Sequence, residues 1–151
     1  AVFRGVSHLS LDEKGRMSFP SRYRDRLMEL CGGDLVITVD PEHCLLVYPL
    51  PAWEEIQQKL QRLPSFNPAT RNLQRLLIGY ATDVQMDANG RVLLPQPLRE
   101  FAYLERKVVL AGQGNKFELW DEERWTKNSE VWLAEAPQNL ESVAELADLT
   151  L

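Results

Sequence analysis

Short apolar runs, each closed by glycine, proline or aspartate, follow one another along this chain in the same order twice. "VSHLSL" (Val6–Leu11) and "ATDVQM" (Ala81–Met86) read as leading strands. Each enters a tight turn, "DEKG" or "DANG", where glycine can take the positive φ such a turn demands. Short apolar strands, "MSF" and "VLL", leave the turns and end at Pro20 and Pro95. Proline is well tolerated in the first turn of a helix, so helices are predicted over "PSRYRDRLMEL" and "PQPLREFAYL". Hairpins come next: "LVITV" turns at "DPEHC" into "LLVYP", and "VVLAG" turns at "QGN" into "KFELWD". In the first half, "PAWEEIQQKLQRL" places Trp53, Ile56 and Leu60 on one stripe of a longer helix.

The order repeats because the sequence repeats. D-x-x-G-R-x-x-x-P occurs at Asp12–Pro20 and again at Asp87–Pro95, an offset of 75 that also carries Arg24 to Arg99. Further on, "DLVITVDPEHCLLVYPLPAW" aligns with "RKVVLAGQGNKFELWDEERW" at an offset of 72, matching Tyr48 with Trp120 and Trp53 with Trp125. The expected organisation is a first repeat at 3–57, a connecting helix region at 58–79, a second repeat at 80–126 and an acidic helical tail at 127–151. The connecting region has a linker start at Pro64–Pro68 and a helix with Leu73, Leu76 and Leu77 on one face. In the tail, "EERWTKNSEVWLAEA" and "NLESVAELADL" read as two helices separated at Ala136-Pro137. A handful of short strands per repeat cannot make a self-sufficient core. Two matched halves pairing about a pseudo-twofold axis into one small β-barrel with flanking helices, an α+β fold, would account for the duplication.

Bulk properties narrow the function. The 151 residues amount to about one domain. No apolar run approaches the roughly 18 residues of a membrane span, and "AVFRGVSHLS" lacks the apolar core of a secretory signal, which points to the cytoplasm. Cys31 and Cys44 form no C-x-x-C pair and read as buried thiols; with His8 and His43 as the two histidines, no metal site or other cofactor is expected. An enzyme has little support, since no G-x-S-x-G, P-loop or recognisable carboxylate pair occurs. The net charge of −5 excludes a bulk polycation. Its distribution is more telling: Arg4–Arg26 holds six basic against three acidic residues, and the stretch from Asp121 onward holds eight acidic against two basic. A basic front and an acidic tail favour a localised anionic partner.

The repeated arginine admits two readings. In one, Asp12 and Asp87 cap their own turns and Arg16 and Arg91 merely pair with them. In the other, the turn presents the arginine's planar fork to phosphate or to the O6/N7 edge of guanine. Both can hold at once, with Asp12, Gly15, Asp87 and Gly90 organising the turns and Arg16 and Arg91 reading DNA. Lys14 and the residue at its place in the second copy, Asn89, are further candidates. Arg22 shares a helix face with Arg26 and is a candidate phosphate contact, as is Arg4 near the start of the first strand. Arg24, repeated as Arg99, is expected to be structural. Trp53, Trp120 and Trp125 are expected to pack the core and its helices, with Trp132 packing in the tail.

"FRG" (Phe3–Gly5), "LDEKGRMSFPSRYR" (Leu11–Arg24), "LLVYPLPAWE" (Leu45–Glu54), "MDANGRVLLP" (Met86–Pro95) and "NKFELWDEERW" (Asn115–Trp125) together resemble the MraZ family across nearly the whole chain. The resemblance implies a fold related to the AbrB swapped-hairpin barrel, with both half-sites in one chain. It implies an octamer-like ring and a bacterial transcriptional regulator, acting in the cytoplasm at the nucleoid. It also implies binding to short G-rich direct repeats in the promoter of the cell-division and cell-wall gene cluster. Asp12, Arg16, Asp87 and Arg91 carry over; Lys14 does not repeat, and Ala88 stands where the first copy has Glu13, so the two loops are not expected to be equivalent on DNA. A ring scaffold that binds protein, its basic front meeting acidic tails without specific DNA readout, is the alternative.

Overall fold

The computed structural model describes residues 2–138 and 143–149. The first repeat holds β1 (Phe3–Ser10), β2 (Arg16–Ser18), α1 (Ser21–Cys31), β3 (Asp34–Val39), β4 (Leu45–Pro49) and the start of α2 (Leu50–Arg62), which crosses the expected boundary at 57/58. Helix α3 (Pro68–Leu77) connects it to β5 (Thr82–Gln85), β6 (Arg91–Leu93), α4 (Gln96–Phe101), β7 (Lys107–Gly114), β8 (Phe117–Asp121) and α5 (Glu122–Glu135). Pro20 and Pro95 cap α1 and α4 with extended ψ of 145° and 139°, so proline ends the strand and starts the helix.

Neither repeat is complete by itself. The sheet order is β1-β7-β8-β4-β3-β5, antiparallel throughout, so each leading strand joins the hairpin of the other repeat. β1 lies on β7 with Leu9 opposite Val108; β5 lies on β3 with Val84 opposite Leu35. The hairpins meet at the centre, β4 on β8, where Leu46 faces Glu118. β2 and β6 form a separate two-stranded ribbon centred on Met17 opposite Val92. Exchanging the two repeats maps each of these pairings onto another or onto itself, so a pseudo-twofold axis passes through Leu46/Glu118 and Met17/Val92.

One face of the sheet buries Leu35, Ile37, Leu45, Val47, Val108, Leu110, Phe117 and Leu119 against the ribbon and α1 and α4. The other buries Val36, Leu46, Tyr48, Val109 and Trp120 under α2, α3 and α5. Hairpin strands covered on both sides are apolar almost continuously. On the second face Trp120, Trp125 and Trp132 pack edge to face, with ring centroids 5.2–6.3 Å apart, and Trp53 packs on Tyr48 at 5.5 Å.

Four expectations change. The α+β class holds, but among the described residues no ladder closes a barrel: β1 and β5 remain sheet edges, and the three-residue strands β2 and β6 pair only with each other. The offset of 72 holds for β4 and β8 but slips to 73 in β3 and β7, because Val36 and Tyr48 pair as Val109 and Trp120 do. The turn at 40–44 is one residue longer than that at 113–116, and His43 in it takes a φ of 63°. The second expected tail helix lies partly outside the described residues; its described part holds a single 3₁₀ turn, Ala144–Leu146. Cys44 is buried and its thiol is pushed up by desolvation, whereas Cys31 is only half-buried and donates to Leu27 O at 3.2 Å. Among the described residues no helix is long and apolar enough to cross a membrane.

Candidate nucleic-acid interface

The two turns are built alike, atom for atom. Asp12 Oδ1 accepts from the backbone N–H of Lys14 (2.9 Å) and of Arg16 (2.8 Å), and Asp12 Oδ2 accepts from Arg16 Nε at 2.6 Å. Asp87 Oδ1 accepts from the N–H of Asn89 and of Arg91, both at 2.9 Å, and its Oδ2 accepts from Arg91 Nε at 3.1 Å. Backbone bonds Gly15 N–H to Asp12 O and Gly90 N–H to Asp87 O, each 3.0 Å, close the turns. Gly15 and Gly90 sit at φ of 83° and 79°, where a β-carbon would be strained.

The pairing of aspartate with arginine is present in both turns. The carboxylate organises the turn and clamps Nε, and among the described residues each guanidinium is hydrogen-bonded through Nε alone. The remaining guanidinium N–H donors make no hydrogen bond among the described residues. Donors ordered this way also keep the acids ionised. The Asp12 carboxyl is held below its ordinary range, first by the Arg16 backbone N–H and next by the Arg16 guanidinium. Asp87 is held low chiefly by the Arg91 backbone N–H, with the N–H of Asn89 assisting.

The ribbon brings the two arginines onto one surface. Met17 and Val92 point into the core, so the alternation of a strand turns Arg16, Ser18, Arg91 and Leu93 outward. Arg16 pairs with Leu93 and Ser18 with Arg91, which makes the two arginines diagonal neighbours about 7 Å apart at their backbones. Lys14 and Asn89 lie on the exposed turns beside them. Arg16 and Arg91 share the ribbon's outward face, and the turns carrying Lys14 and Asn89 flank it at opposite ends. Arg4 and Arg22 lie elsewhere: Arg4 is near the far end of β1, and Arg22 donates to Ser7 Oγ at 2.7 Å while lying over the Tyr23 ring. Arg26 is drawn to the N-terminus, donating to Val2 O and covering the Phe3 ring.

Residues not singled out as candidates adjoin the same face and turns. Ser18 and Leu93 share the outward face of the ribbon with the arginines. Arg24 and Arg99 pack against the turns themselves. A β-carbon on Gly15 would lie 2.6 Å from Arg99 Cζ, and one on Gly90 would lie 2.6 Å from Arg24 Cδ. The recurrence of Arg24 as Arg99 marked both as structural; which turn each one serves was not readable.

A family model for MraZ proteins, described as antitoxin-like, matches the chain twice, over residues 2–76 and 77–144. A protein of Alkalilimnicola ehrlichii is 59% identical over 151 residues, covering 99% of this chain and 100% of the relative. One of Thioalkalivibrio sulfidiphilus is 56% identical over 150 residues, with 99% and 100% covered. One of Pseudomonas aeruginosa is 52% identical over 151 residues, again with 99% and 100% covered. Each is named a transcriptional regulator MraZ, and none of these names is that of an enzyme. With two matches of the family model and relatives this similar along the full chain, the chain belongs to the MraZ family.

Proposed function

We propose that this protein is a sequence-specific DNA-binding transcriptional regulator that reads double-stranded DNA with Arg16 and Arg91. The observation that carries the reading is the pair of identical aspartate-clamped arginine turns presented on one ribbon face. A clamp at Nε removes conformational freedom from a long side chain before binding, and so lowers the cost of ordering it on DNA. The major groove admits a two-stranded β-ribbon, and a guanidinium fork matches O6 and N7 of guanine. Lys14 adds sequence-independent attraction to phosphate. The names of the relatives support the regulatory role.

Two fingers read too few bases to select one promoter among the competing sites of a genome. The regulator therefore works as a homo-oligomeric ring of swapped-hairpin units in the cytoplasm, at the nucleoid. It binds short G-rich direct repeats in the promoter of the cell-division and cell-wall gene cluster. Tethered subunits meet successive repeats at high effective concentration, and head-to-tail contacts around a ring call for direct rather than inverted repeats. No cofactor takes part.

The test is a titration of the full chain against a duplex of G-rich direct repeats and a scrambled control. Arg16→Ala and Arg91→Ala should each cost about 1–3 kcal/mol per base contact and remove the preference for the repeats. Specific binding that survives in the double variant sinks the reading. Repeats displaced by about half of the roughly 10 base-pair helical turn should lose the gain from tethering.

A further inference from the structure

Resting on the reading of Arg16 and Arg91 as fingers, we infer that each finger is positioned by an arginine of the other repeat: Arg99 holds the Arg16 turn and Arg24 holds the Arg91 turn. Two closed circuits show how. Phe19 N–H donates to Gly90 O at 2.9 Å, Phe19 O accepts from Arg24 Nε at 2.7 Å, and the Arg24 side chain lies over Gly90. Across the pseudo-twofold, Leu94 N–H donates to Gly15 O at 3.1 Å, Leu94 O accepts from Arg99 Nε at 3.0 Å, and the Arg99 guanidinium lies over Gly15. The peptide that follows each ribbon strand thus grips the opposite turn on one side and its own helix arginine on the other.

The packing requires both partners. Gly15 and Gly90 are buried although their neighbours in the turns are exposed, because the crossing arginine occupies the space a side chain would fill. Glycine is needed there twice over, for positive φ and for the approach of the arginine. Arg24 and Arg99 are half-buried and use Nε for a backbone carbonyl, so they are positioning residues and not the fingers themselves. A reader's finger must be held within a fraction of an ångström by residues that are themselves locked. Here the lock lies on the far side of the axis, which ties the two fingers to one another.

The experiment measures amide hydrogen exchange in the DNA-free full chain, at Lys14 and Arg16 in one turn and at Asn89 and Arg91 in the other. Removing Arg99 or Arg24 frees the carbonyl of Leu94 or Phe19, whose own N–H holds the opposite turn, and should speed exchange about tenfold or more in that turn. Arg99→Ala should act on Lys14 and Arg16 and spare Asn89 and Arg91; Arg24→Ala should do the reverse. Arg99→Lys and Arg24→Lys keep the charge without the planar fork, and should show the same crossed direction if the alanine variants fold poorly. Equal change in both turns, or change confined to the arginine's own repeat, overturns the inference. A DNA titration adds the second arm: Arg99→Ala should cost nothing further in an Arg16→Ala background and its full effect in an Arg91→Ala background. Additivity in both backgrounds also counts against it. Crossed exchange in a chain that binds no DNA would support the positioning and refute the fingers, so the two failures are distinct.

Discussion

Arg16 lies opposite Leu93 across the two-stranded ribbon, whereas its counterpart Arg91 lies opposite Ser18. Ser18 and Leu93 occupy equivalent places in the two repeats, so the turns are alike but their neighbours are not. Leu93 is 56% exposed on a face otherwise lined by polar groups. An apolar side chain beside an arginine proposed to read guanine is suited to the C5 methyl of thymine.

Leu93→Ser should therefore remove a preference for thymine beside the base read by Arg16. Burying one methyl is worth about 0.8 kcal/mol, roughly a fourfold change in affinity. Replacing thymine by uracil at that step should weaken the parent protein by this amount and leave the variant unaffected. Equal sensitivity of the two proteins at every thymine would show that Leu93 does not touch the base.

Lys14→Ala should weaken binding to specific and scrambled duplexes alike. It should also lower the slope of log affinity against log salt by about 0.9 for each protomer whose phosphate contact is lost. An unchanged slope accompanied by altered base preference would assign Lys14 to base reading instead.

Gly90→Ala should destabilise the fold by about 1–3 kcal/mol, through strain at positive φ. Gly15→Ala should cost less. At Gly15 the intruding β-carbon meets Cζ, Nε and Nη1 of Arg99, at the far end of that side chain, whereas at Gly90 it meets Cγ, Cδ and Nε of Arg24, nearer that residue's backbone. Thermal unfolding of the two variants under one buffer gives the ranking, and the reverse order would contradict the packing described.

Acid should open both turns. Asp12 and Asp87 have folded pKa values depressed below the ordinary 3.8, so the support they give is present above that value and is lost as pH falls through the depressed ones. The Arg16 and Arg91 amide resonances should titrate with midpoints under 3.8. Asp12→Asn should abolish the transition in the first turn only. A midpoint at or above 3.8 would mean the clamps are not formed in solution.

Much of this was legible in the residues, and the losses have physical causes. The offset of 75 found both turns and both arginines because a positive-φ glycine and a capping aspartate admit few substitutes. The one-residue slip between β3 and β7 was hidden because these strands are buried on both faces. With no polar face to break the run, nothing marks which residues point to which side. The swap was hidden for another reason. The order of elements does not say whether β1 joins its own hairpin or the other one, and equivalent strands are nearly interchangeable partners. Arg22 and Arg26 looked available as helix residues on a shared face, yet tertiary contacts to Ser7, Tyr23 and Phe3 engage them.

The axis pair Leu46 and Glu118 carries a consequence for ancestry. In an assembly of two identical half-chains, a residue on the symmetry axis meets its own twin. A glutamate there would face another glutamate in a half-buried setting, where desolvation already pushes the Glu118 carboxyl up. Joining the halves covalently lifts that restriction, since a substitution then enters once and not twice. Leucine can oppose glutamate, methionine can oppose valine at the centre of the ribbon, and serine and leucine can flank otherwise matching arginines. A fused pair is thereby released from having to recognise a palindrome.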